Sequence, residues 1–120
     1  MLESLKTNRT GKRWPRGQKF VMSASGAVAE ASYREAVQAA RAQGRAALDA
    51  AQQAWAGPLR AQPIDGVVLG ELRGGKKSIA DIARGLEDCG VTPTEVKAAV
   101  DRLTDVGLVE PGAVPSEAAA

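Results

Sequence analysis

Ile64, Val67, Val68 and Leu72 repeat at the spacing of one helical face, and Gly74-Gly75 closes that segment. Lys76 and Lys77 are read as a turn. Ser78 then stands where a second helix needs a cap, with Ile79, Ile82, Ala83 and Leu86 on one side and Asp81 three residues past the cap. That helix is expected to stop at Cys89-Gly90. The third helix has the sharpest start in the chain: Thr92 as cap, Pro93 in the first helical position and Glu95 completing a T-x-x-E capping box. Val96, Ala99, Val100, Leu103 and Val106 form its apolar face, Gly107 supplies a left-handed C-terminal position, and Leu108-Val109-Glu110 reads as a short strand.

The first half follows a different pattern. Residues 25–56 are alanine-rich and free of proline, and their summed propensity predicts a long helix, continuous or hinged near Gly44. Its larger or distinctive positions, Tyr33, Val37, Ala40, Gly44, Ala47, Ala51 and Trp55, recur at alternating steps of four and three. Such a narrow seam of mostly small side chains lets two helix backbones approach closely. It serves either packing against the chain's own domain or a coiled-coil-like homodimer. Gly57, Pro58 and Pro63 mark residues 57–63 as a linker, and residues 64–111 form the organised domain. Residues 1–24, mixing Gly, Pro, Thr and Asn with basic side chains, read as a flexible basic arm, and residues 112–120 as a disordered tail. The expected fold is mainly α: a long N-terminal Ala-rich helix followed by a three-helix unit.

Charge divides the chain more sharply than its net value of +2 implies. Residues 1–20 hold six Lys or Arg against Glu3, while residues 64–110 hold six against nine Asp or Glu. The two ends therefore suit different partners. With no His and the single Cys89, neither a disulfide framework nor a His-based metal site is available, and no cofactor is expected. No Ser, Cys or carboxylate stands in a recognisable nucleophilic or acid-base constellation, so the chain is not read as an enzyme. Cys89 is read as a buried small side chain near a helix end. Basic residues precede "FVMSASGAVA", but Ser23, Ser25 and Gly26 interrupt that run, and no apolar stretch reaches the roughly 18 residues that a bilayer requires. A cytoplasmic protein without a membrane partner is expected.

The segment "SIADIARGLEDCGVTPTEVKAAVDRLTDVGLVEP" resembles the helix-turn-helix of bacterial winged-helix regulators, particularly the MarR type, over about residues 64–111. The resemblance implies that the third helix enters the major groove of DNA, that its first residues touch bases, and that a long helix elsewhere supplies dimer contacts. Two departures stand out. Glu87, Asp88 and Cys89 are additional before the "GVT" turn, and "PGAVPSEAAA" is too short and proline-broken for a second wing strand, so one wing strand or none is expected.

The candidate DNA contacts are Thr92, Thr94 and Lys97 at the start of the third helix, Arg102 to its side, Lys76 and Lys77 in the preceding turn, and Lys12, Arg13, Arg16 and Lys19 around Trp14 and Phe20 in the arm. Asp101 and Asp105 on the outer face of the same helix oppose phosphate. The first reading is thus a transcriptional regulator that binds double-stranded DNA as a dimer. The competing one is an adaptor or assembly protein that offers the acidic third helix to a protein partner.

Overall fold

The computed structural model describes residues 14–112, which are mainly helical with a small three-stranded sheet. The chain runs β1 (Lys19–Met22), α1 (Ala24–Arg41), α2 (Arg45–Leu59), α3 (Pro63–Leu72), β2 (Lys77–Ser78), α4 (Ile79–Gly85), a 3-10 turn (Glu87–Cys89), α5 (Pro93–Asp105) and β3 (Val109–Pro111). No helix among these residues is long and apolar enough to cross a membrane.

The expected long N-terminal helix is two helices. Gly44 sits at φ 107°, a conformation that L side chains rarely adopt, and there the chain reverses into an antiparallel hairpin. Tyr33 and Trp55 meet edge-on at 4.8 Å, the Trp55 Nε1–H donates to the Ala29 carbonyl at 3.0 Å, and Gln52 Nε2 donates to the Tyr33 hydroxyl at 3.0 Å. The seam is therefore used inside the chain. Tyr33, Val37, Ala40 and Trp55 are buried, Ala47 and Ala51 are half-buried and Gly44 is exposed at the turn. Nor does α2 end at Gly57. It continues through Pro58 to Leu59, and the reversal comes at Arg60, at φ 57°.

In place of a free arm, its last residues supply the middle strand of the sheet. The strand order is β2-β1-β3, antiparallel throughout, pairing Lys19 with Ser78, Phe20 with Lys77 and Pro111, and Met22 with Val109. Phe20 is fully buried among Val68, Leu69, Ile82, Val96, Val100 and Leu103 in one core. Ser23 joins this strand to α1: its Oγ accepts from the Gly26 amide at 3.0 Å and donates to the Gly107 carbonyl at 2.7 Å. Gly26 has no room for a side chain, since a Cβ there would lie 1.9 Å from the Leu108 carbonyl oxygen.

The predicted caps of the second half are present. Thr92 Oγ1 accepts from the Glu95 amide at 3.2 Å while Glu95 Oε1 accepts from the Thr92 amide at 2.9 Å. Ser78 and Asp81 form the same reciprocal box at α4. The Ser78 amide, the Ser78 side chain and then Arg84 hold the Asp81 carboxyl below its ordinary 3.8. A lowered carboxylate pKa stabilises the fold above the unfolded-state value and loses that contribution as pH falls through the folded one. The amides at the start of α4 are therefore expected to lose hydrogen-exchange protection as pH drops below 3.8. Exchange monitored by NMR checks this, and protection of α4 that does not change with pH in that range would contradict it.

Candidate nucleic-acid interface

The surface where the arm meets α5 is built by backbone, amide, indole and lysine contacts. Pro15 to Gln18 form a turn, with the Gln18 amide donating to the Pro15 carbonyl at 3.0 Å and Gly17 at φ 78°. Gln18 is buried, and its Nε2 donates to the carbonyls of Lys19 at 2.8 Å and Gly112 at 3.0 Å, tying this turn to the end of β3. Trp14 packs edge-on against Phe20, at 5.0 Å and 85°. Its Nε1–H donates to Asp101 Oδ1 at 3.0 Å, and Lys97 Nζ donates to Asp101 Oδ2 at 2.8 Å. Between the turn, the start of α4 and Lys97 lies a cleft of about 180 Å³.

The expected DNA contacts separate into groups. Arg16, Lys19 and Lys76 are exposed and have no carboxylate partner among the described residues, and Lys76 runs along Gly112 beside the Lys19 backbone. Thr92 and Thr94 are exposed at the start of α5, although Thr92 is already engaged by its cap. Lys97 is paired with Asp101, and Lys77 reaches inward to Glu71 at 3.0 Å because its position pairs with Phe20 on the inner side of the sheet. Lys12 and Arg13 lie outside the described residues.

Arg102 is not placed to read DNA. Its Nε and Nη2 donate to both oxygens of the fully buried Asp65, at 3.0 and 2.7 Å. Asp65 Oδ2 also accepts from the Gln62 amide at 3.0 Å and so caps α3. That hydrogen bonding raises the Arg102 pKa, since a buried carboxylate favours the charged guanidinium. Arg102 thus fastens α5 to α3.

The same pairing changes the electrostatics of α5. Of its carboxylates, Glu95 serves the cap and Asp101 receives Trp14 and Lys97. Elsewhere in residues 64–110, Glu71 is matched by Lys77 and Asp81 by Arg84. Asp65, Glu71, Asp81 and Asp101 are thus held in ion pairs, while Glu87, Asp88, Glu95 and Glu110 are exposed. Sequence reasoning overlooked the anchoring roles of Gln18, Trp14 and Asp101. The usable signal was the apolar "FVM" between Lys19 and the Ser23 cap, which marks a short strand.

A second, apolar groove of about 610 Å³ lies between α1 and α2, with Val28 exposed at its edge and Ala29, Trp55 and Leu108 at its base. No family model, curated protein or solved structure matches the chain.

Proposed function

We propose that the protein is a DNA-binding transcriptional regulator that engages duplex DNA through the exposed N-terminal turn of α5 together with Arg16, Lys19 and Lys76. The observation that carries this reading is the placement of those three exposed cations, on the arm turn, on β1 and just before β2, without a carboxylate partner among the described residues, on the side of the fold where the arm meets a helix whose Glu95 and Asp101 are engaged locally. Helix N-termini and exposed hydroxyls such as Thr94 add donors for phosphate. The winged helix-turn-helix reading fits the order α3, β2, α4, α5, β3. On that reading β1, antiparallel to β3, takes the place of a wing's return strand.

Binding of random-sequence duplex DNA, measured by fluorescence anisotropy against salt, tests the proposal. Each phosphate neutralised contributes about −0.9 to the slope of log K against log salt, so three cations give a slope of about −3, steepened by contacts from residues 1–13. The triple variant R16A/K19A/K76A is expected to lose most of the first part. Absence of binding by the intact chain at low salt would overturn the reading.

A further inference from the structure

Gly66 and Gly70 stand one helical turn apart on the same side of α3, yet their surroundings differ. Gly66 is required by packing, because a Cβ there would lie 2.4 Å from the Tyr33 ring. At Gly70 a Cβ would meet nothing within 4 Å. Glycine inside a helix is unfavourable relative to alanine, so Gly70 keeps space open where no neighbour demands it. That space belongs to a cleft of about 400 Å³ between α1, α2 and α3. The volume suits a small organic molecule.

The lining of the cleft divides by chemistry. Val37, Leu48 and Val67 give it apolar walls, while Arg34, Arg41 and Arg73 face a single carboxylate, Glu30, and leave it cationic. Glu30 is buried and accepts from Arg34 Nε and Nη2 at 3.3 and 3.1 Å, with Arg73 Nη1 at 3.9 Å. Arg41 is exposed and has no carboxylate partner among the described residues. It stands eleven positions along α1 from Glu30, roughly 16 Å, so that carboxylate does little to offset its charge. Val37, one turn before Arg41, places apolar surface beside the free guanidinium.

We propose that this cleft binds a small organic anion, whose carboxylate, sulfonate or phosphate group meets Arg41 while its apolar body lies on Val37, Leu48 and Val67 and extends into the space left by Gly70. A guanidinium fork matches the paired oxygens of such a group. None of these residues belongs to the surface assigned to DNA, so binding here is measured separately from DNA affinity.

Fluorescence titration of the full chain with anilinonaphthalene sulfonate, compared with the uncharged N-phenylnaphthylamine, tests the site. The sulfonate is expected to bind saturably and more tightly than the neutral amine, and Arg41→Gln to weaken it about three- to tenfold without weakening the amine. Gly70→Leu should block both probes by filling the open space while leaving the thermal melt unchanged. Val28→Asp, at the edge of the apolar groove between α1 and α2, should leave sulfonate affinity as it was. No saturable binding, equal affinity for the two probes, or sulfonate affinity that survives Arg41→Gln would overturn the proposal. So would loss of the signal in Val28→Asp, which would place the probe in the other groove. If Gly70→Leu fails to fold, the exposed Arg41 and Val28 variants decide the matter by themselves.

Discussion

Arg102→Ala is expected to lower the free energy of unfolding by about 3–5 kcal/mol, because it strands a buried carboxylate whose charge was paired by that guanidinium. Asp65 is fully buried and depends on both Arg102 hydrogen bonds, while one of its oxygens also caps α3 through Gln62. Arg102→Lys keeps the charge but replaces a planar fork with a single ammonium, so an intermediate loss is expected. Urea denaturation followed by circular dichroism measures both. A change in Arg102→Ala below about 0.5 kcal/mol, the range of ordinary surface substitutions, would show that Asp65 is hydrated and that Arg102 belongs to the surface after all. The distinction matters for function. Loss of DNA affinity in Arg102→Ala would reflect damage to the seat of α5, and only variants such as R16A/K19A/K76A report on the interface itself.

How much of this was legible depended on whether the determining contact was local. Ser78 with Asp81 and Thr92 with Glu95 lie three residues apart, and both boxes formed as their spacing predicts. Gly107 likewise takes the left-handed position, at φ 81°. Periodicity succeeded on α5, where Val96, Ala99, Val100 and Leu103 are all fully buried, and failed at its end, where Val106 lies past the last turn and is exposed. It also failed on α3. Leu69 is fully buried there beside Val68, Asp65 lies one turn earlier on the same side against Arg102, and Gly66 packs against Tyr33, so a helix covered on several sides has no single apolar stripe to read. The hinge at Gly44 was legible, but the direction of folding was not, because the contact that closes the hairpin joins Ala29 to Trp55. The site was less legible still. Trp14 and Asp101 are separated by 87 positions, and no local pattern pairs an indole with a distant carboxylate.

Phe20→Ala is expected to cost about 3–5 kcal/mol, the usual range for truncating a buried aromatic ring and leaving a cavity. Small domains are stable by only about 5–15 kcal/mol in all, so this variant should melt far below the wild type or fail to fold. The reasoning follows from the place of β1: Phe20 is fully buried, its strand pairs on both edges, and Trp14 rests on its ring. A chain lacking residues 1–22 should behave as badly, whereas one lacking only residues 1–13 keeps Trp14, Gln18 and β1 and should retain the fold. Thermal melts of the three variants check this ordering. If Phe20→Ala melts within a few degrees of the wild type, β1 is a dispensable addition, and Arg16 and Lys19 would be carried on a loose tether. If the ordering holds, Lys19 is fixed on the central strand of the sheet and Arg16 in the turn that leads into it. A truncation that removes β1 would then weaken any binding by unfolding the protein rather than by removing charge.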